Sequence, residues 1–225
     1  LSKMWSDSSV PWDPESLRGL ARVAYVCFDL SLARRALQAL SDLQAPTGTD
    51  LLLQASCHAA CGDLPQALDV CNAVLARAPH NMQAISLHKS WTERLEEPRS
   101  PWHVPVISSE GLRLEPMHVE HAPALAWQYR DPAIAAKTLL PPMADFQTAE
   151  HWVRHRLNHR LVVPYVLLHR EHGLVGSTEM TVSGEEAFLC VWIGADWQGR
   201  GLGRRMVAMA CEHAFRCGAE TVLTA

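Results

Sequence analysis

The stretch from Val191 to Arg205 limits the possible folds of this chain more than any other. An apolar run, Val191-Trp192-Ile193, leads through Gly194-Ala195-Asp196-Trp197 into glycines at 199, 201 and 203, and then into helix-forming sequence. Glycine lets backbone approach a ligand without a Cβ in the way. A helix that starts at such a loop presents unbonded amides, backed by the positive end of its dipole, which together make a site for phosphate. Arg200, Arg204 and Arg205 bring charge of the matching sign. A plain strand-turn-helix corner is the competing reading of the same residues.

The spacing separates this loop from two better-known phosphate binders. A dinucleotide fold requires G-x-G-x-x-G early in a βαβ unit, and a P-loop requires G-x-x-x-x-G-K-[ST]; neither is present. Gln198-x-x-Gly201-x-Gly203 instead resembles the Q/R-x-x-G-x-G/A motif of the GNAT superfamily of N-acetyltransferases, whose members use it to bind the pyrophosphate of coenzyme A.

Composition leaves room for two ordinary domains or one large one, since 225 residues with 48% hydrophobic and 20% charged content can bury a substantial core. A net charge of −4 offers no electrostatic case for nucleic acid. No apolar run reaches the roughly 18 residues that a membrane span needs. Seven cysteines, an odd number without a C-x-x-C pair, favour reduced packing thiols, and with no secretory signal they point to a cytoplasmic protein without a structural metal.

Residues 1–97 read as helical, with Ala and Leu at spacings of three and four and an internal repeat. Asp29-Leu30-Ser31-Leu32-Ala33 returns as Asp63-Leu64-Pro65-Gln66-Ala67, and Leu17, Ala21 and Cys27 return as Leu51, Ala55 and Cys61, all at an offset of 34. Paired helices at that period resemble tetratricopeptide (TPR) repeats. Phe28 stands where the turn glycine, Gly62 in the second copy, is expected. A covering helix follows, with Ala84, Leu87, Trp91 and Leu95 as its contacts. Such an all-α domain is either a groove for a protein or peptide or a cap on its neighbour.

Prolines at 98, 101 and 105 mark residues 98–109 as a stiff linker. From 110 to 225 the texture is α/β: a strand at 111–116, a helix with Pro123 in its first turn, a short helix after Asp131, a helix over 149–158 capped by Thr148, strands at 162–169, 174–182 and 187–193, the glycine loop, a helix from Leu202, and a strand at 221–223. Together with Leu112-Arg113-Leu114, Tyr129-Arg130-Asp131-Pro132 and Ala149-Glu150-x-Trp152, this order resembles the GNAT branch that contains the ribosomal-protein alanine acetyltransferases. It departs from that branch at Phe188, where a glutamate often stands, and in stopping after the fifth strand. The expectation is a fragment, or a sheet completed by another chain as in a homo-oligomer, because the last strand is otherwise an open edge.

The resemblance implies an acyl-CoA-dependent N-acyltransferase that moves an acetyl group directly from acetyl-CoA to a primary amine. Val191, Trp192 and Ile193 would pair with the pantetheine arm, with the Val191 or Trp192 amide at the oxyanion, and Gln198, Gly199, Arg200, Gly201, Leu202, Gly203 and Arg204 would hold the pyrophosphate. Glu179 is the candidate base, on the strand face shared with Ser177 and Thr181, against the alternative of a solvated glutamate. His151, His155 and His159, interleaved with arginines, read as a basic solvated face rather than a metal site. His213 reads as a partly packed histidine on the apolar side of its helix, and Cys190 is given no nucleophilic role. The acceptor is an amine on a protein, peptide or small molecule, with the repeats as recruiter. The rival function is a partner-binding module beside a domain that binds CoA without turning it over.

Overall fold

The computed structural model describes residues 12–96, 101–107, 111–138, 140–143 and 145–224. The chain divides into two compact units, one holding the first five helices and the other the sheet with the remaining helices.

Side-chain caps set where the helices of the first unit begin. Helix α1 (Pro14–Val26) starts where the Asp13 carboxylate accepts from the amides of Glu15 and Ser16. Asp29 and Asp63 do the same for α2 (Leu30–Leu43) and α4 (Leu64–Arg77). Helix α3 (Gly48–Ala60) opens with a capping box between Thr47 and Asp50, and α5 (Met82–Glu96) follows α4. Helix α3 begins and ends 34 residues after α1, and α4 does so after α2, so the period in the sequence is also a period in structure.

The helices pack in antiparallel neighbours, α1 on α2 and α3 on α4, where Ala33 and Ala67 are sealed at 0% exposure and admit close approach. At the two equivalent turns Phe28 has φ 56° and Gly62 φ 82°. A left-handed conformation costs a residue with a Cβ about 1–2 kcal/mol, which the first copy bears and the second avoids. On α5 the buried residues are Ala84, Trp91 and Arg94, while Leu95 is largely exposed. The covering face therefore passes through position 94 and not 95, a step of three from Trp91.

In the second unit six strands lie in the order β1 (Val106–Ile107), β2 (Leu112–Pro116), β3 (Val162–His169), β4 (Gly173–Ser183), β5 (Glu186–Ile193) and β6 (Thr221–Thr224). The pairings of β1 with β2, β2 with β3 and β4 with β5 are antiparallel, and that of β5 with β6 is parallel. Strand β1 falls within the proline-rich stretch read as a linker, where Val106 pairs with Leu114.

Helices α6 (Ala122–Tyr129), α7 (Pro132–Ala135) and α8 (Phe146–Leu157) cover one sheet face, burying Leu125, Tyr129, Ile134, Trp152 and Val153 against Val166, Leu168 and Trp192. Helix α9 (Leu202–Arg216) covers the other, placing Leu202, Met206, Met209 and Ala210 over Leu114, Tyr165, Leu167 and Leu189. Helix α8 begins a turn earlier than its sequence suggests, because Asp145 caps it by accepting from the Thr148 amide. Among the described residues no helix is long and apolar enough to cross a membrane.

Candidate functional site

The site grows from the way β5 is paired. Its whole length is bonded to β4, from Glu186 opposite Ser183 to Ile193 opposite Gly176. On its other side β6 reaches only Glu186 to Leu189. Among the described residues, Cys190 to Ile193 therefore have no strand partner on that edge, leaving their main-chain groups to pair with something else. Gly176 lets β4 sit this close, since an added Cβ would lie 2.6 Å from the Trp192 carbonyl oxygen.

Beyond Ile193 the chain passes through Gly194 and a 3-10 turn over Ala195–Trp197 to the glycines. Gly199 and Gly201 have φ of 73° and 74°, and an added Cβ at either would meet nothing within 4 Å. Backbone conformation, not crowding, selects glycine at these two positions, and the space in front of them is open. Gly203 differs: its φ is not positive, and an added Cβ would make only an ordinary contact, 3.6 Å from Ile193 Cγ1, where the first turn of α9 meets the end of β5.

Gly201 is the N-cap of α9 and supplies no side-chain cap. The first main-chain bond after it runs from the Arg205 amide to the Gly201 carbonyl, at 3.2 Å. The amides of Leu202, Gly203 and Arg204 thus precede the helical ladder and face the loop, at the end of a dipole worth about half a positive charge. Leu202 itself is buried in the core, so only its main chain is on offer.

The flanking side chains hold this geometry. Gln198 Nε2 donates to the Ile193 carbonyl at 3.0 Å, strapping the loop to the strand it came from. The Arg200 guanidinium sits 4.8 Å above the Trp197 ring, and Arg130 lies 4.4 Å above that of Trp127. Arg130 also pairs with Asp196 at 2.9 Å, joining α6 to the turn. Arg204 is exposed at the mouth of the loop. Trp192 is packed edge-on against Tyr129 at 5.4 Å, while Val191 and Ile193 lean into the core beneath α9.

Glu179 lies on β4 opposite Cys190, with only 6% of its surface exposed. Arg156 of α8 grips it with both arms: Nε donates to Oε1 at 2.8 Å, and Nη2 donates to Oε2. The hydrogen bond and charge of Glu179 raise the affinity of Arg156 for its proton. Burial, followed by the neighbouring Glu179 charge, pushes the Cys190 thiol up, away from the thiolate that a nucleophile would need.

The sequence did not single out this partnership, because Arg156 sits in a basic run whose other members, His151, Arg154, His155 and His159, are exposed. The available signal was Trp152 and Arg156 one turn apart on α8. Gln128 was also missed; it occupies an apolar position of α6 between Leu125 and Tyr129 and is 4% exposed. Among the described residues no group of three His, Cys, Asp or Glu side chains is placed to hold a metal ion.

His213 is deeper than its sequence suggests. It is 2% exposed, with Nε2 2.9 Å from the Tyr165 hydroxyl. That hydroxyl also donates to the Trp102 carbonyl, tying the segment before β1 to the sheet.

No curated protein matches the chain. Among solved structures it is similar to RimL, a ribosomal L7/L12 alpha-N-protein acetyltransferase in its apo form, at 20% identity and a TM-score of 0.47, over 54% of this chain and 71% of that one. It is also similar to the Salmonella typhimurium acetyl transferase that modifies the N-terminal serine of L7/L12, at 16% identity and a TM-score of 0.45, over 52% and 70%. A third likeness is to Vibrio cholerae spermidine N-acetyltransferase in complex with CoA and spermine, at 16% identity and a TM-score of 0.42, over 47% and 64%. The acetyltransferase (GNAT) domain model matches residues 111–225, the stretch that carries the half-paired strand and the uncapped glycine loop, and the chain belongs to that family.

Proposed function

We propose that this chain is an acyl-CoA-dependent N-acyltransferase that passes an acetyl group from acetyl-CoA directly to a primary amine. The observation that carries the reading is the N-terminus of α9, where unbonded amides behind two left-handed glycines face open space beside the unpaired half of β5. In this reading the pyrophosphate rests on the amides from Gly199 to Arg204, with Arg200 and Arg204 adding charge and Gln198 keeping the loop in place. The pantetheine arm then runs along the free edge of Val191, Trp192 and Ile193 as an extra strand, bringing the thioester toward Cys190.

The amine must be neutral to attack the thioester carbonyl. Its nitrogen bonds to that carbon, a main-chain amide of β5 steadies the oxyanion, and the carbon–sulfur bond breaks to expel a thiolate, which takes up the proton that the nitrogen sheds as the amide forms. Glu179 is the base in this scheme, and Arg156 must swing off the carboxylate for it to accept the proton that the amine loses before attack. The acceptor is a protein, peptide or small-molecule amine. The 34-residue helical pairs, read as TPR-like repeats, would recruit it, and a cavity of about 470 Å³ along Arg35, Gln38, Gln54 and His58 of that unit supports a polar partner.

The grip of Arg156 on Glu179 favours a second reading, in which the domain binds CoA without turnover beside a partner-binding helical module. Incubating the protein with acetyl-CoA and a panel of amines and peptides, and following free thiol, separates the two. Amine-dependent CoA release supports transfer; tight binding without release supports the module.

A further inference from the structure

Gln128 has no place in the scheme above, yet its position is a demanding one. Its side chain is almost wholly buried, and Oε1 is sealed from solvent without a hydrogen-bond partner. An apolar residue would fill the same place on α6 without stranding a polar atom, so the glutamine costs the fold stability.

The neighbour of Gln128 is arranged around it. Gly194 has φ −54° and ψ 144°, a conformation open to any residue, so glycine is not there for its backbone freedom. An added Cβ would collide with Gln128 Oε1 and come within 3.0 Å of Cδ and 3.3 Å of Cβ. The space at Gly194 is kept for the carboxamide.

A second sealed polar atom without a partner, Thr178 Oγ1, stands on β4 directly across from Val191. That atom lies on the paired edge of β5, away from the opening, so Gln128 is the stranded group at the end of this strand. Gly194, against which Gln128 is pressed, follows directly on the half of β5 that β6 leaves unpaired.

A stranded polar atom at the end of an open strand edge calls for a ligand that brings its own polar groups. Coenzyme A is such a ligand, because the arm between its pyrophosphate and its thiol carries two secondary amides, each with an N–H donor. We infer that Gln128 is a binding residue for this arm, its carboxamide turning out past Gly194, which has no side chain to block it, so that Oε1 accepts a hydrogen bond from one of those N–H groups. The inference rests on the acyl-CoA reading and adds to it a side-chain contact on the face opposite α9.

The test uses the full chain, with CoA and with adenosine 3′-phosphate 5′-diphosphate, the part of CoA that lacks the arm. Gln128→Met keeps the volume and removes both polar atoms, with Gln128→Leu as the second variant should the first not fold. Calorimetry should give a CoA Kd raised about 5–30-fold by the lost hydrogen bond, an unchanged nucleotide Kd, and a melting temperature no lower than that of the parent. Unchanged CoA affinity in the folded variant overturns the inference and leaves the acyl-CoA reading standing. Equal weakening of both ligands also overturns it, since that pattern means a displaced loop. If the parent protein binds neither ligand, the acyl-CoA reading itself is wrong and this contact falls with it.

Discussion

Gly201→Asp separates the two things the glycine loop does. At φ 74° a non-glycine residue bears strain of about 1 kcal/mol, and aspartate is among the residues that tolerate this region best, so the fold should survive with a small loss of stability. Sterics at Cβ contribute little in the free protein, because nothing lies within 4 Å of that position. Charge decides the outcome. A carboxylate about 4 Å from a pyrophosphate charge opposes it by about 4 kcal/mol at the effective dielectric of a protein surface, which corresponds to about a thousandfold in Kd. Gly201→Ala carries the same backbone strain without the charge and should hold its affinity for CoA within about tenfold. Calorimetry with CoA, preceded by a thermal melt of each variant, reads both quantities. A folded Gly201→Asp protein with the affinity of the parent would show that phosphate does not sit at this helix end.

Three other expectations follow from the geometry. Glu179→Gln should lower kcat about 10²- to 10⁴-fold with little change in the KM for acetyl-CoA, measured by thiol release at saturating amine; an undiminished kcat would leave Glu179 only its structural pairing with Arg156. Burial lowers the proton affinity of His213, with the Trp102 carbonyl pulling the other way, and burial followed by the Arg34 charge lowers that of His58. Both are neutral above about pH 6.5 in either state, so they add no pH dependence there; as pH falls below that value the unfolded chain takes up protons that the folded chain resists, and stability drops until the depressed folded values are passed. Urea melts at pH 7.5 and 5.5 should show the loss, and His213→Gln should reduce it; an equal slope in the variant would remove His213 from the account. Asp50→Ala should cost the helical unit about 2–3 kcal/mol, because the carboxylate accepts from the Thr47 amide and hydroxyl and from Arg18 at 3.1 Å; a shift below about 0.5 kcal/mol in urea denaturation would contradict that.

The elements carried by local chemistry were legible in the sequence. The glycine loop and the start of α9 at Leu202 follow from residue type alone, as does β3 over Val162–His169, whose apolar run ends at a polar turn. The 34-residue offset was readable because α1 with α2 and α3 with α4 solve the same packing problem twice. Even the weak first turn was visible as Phe28 in place of a glycine, and the positive φ of that residue is its structural counterpart.

What sequence hides is partnership across distance. Arg156 and Glu179 are 23 positions apart, and nothing local says that one of several arginines on α8 turns inward. Gln128 looks like an ordinary polar residue until Gly194, far along the chain, is found pressed against it. Strand β1 was obscured because Pro105 just before it signals a linker, although proline is tolerated at the edge of a sheet. The cap of α8 was misplaced because Thr148 and Asp145 are both good cap residues, and only the geometry tells which accepts and which donates.

The account stands on main-chain nitrogens between positions 199 and 204 gripping a diphosphate. Amide-resolved NMR of the full chain, titrated with CoA, measures this directly. The account predicts that the amides of Gly199, Gly201, Leu202, Gly203 and Arg204 move most, with Val191 and Ile193 following only when the ligand carries its arm. Saturable CoA binding that leaves those five amides in place would contradict it.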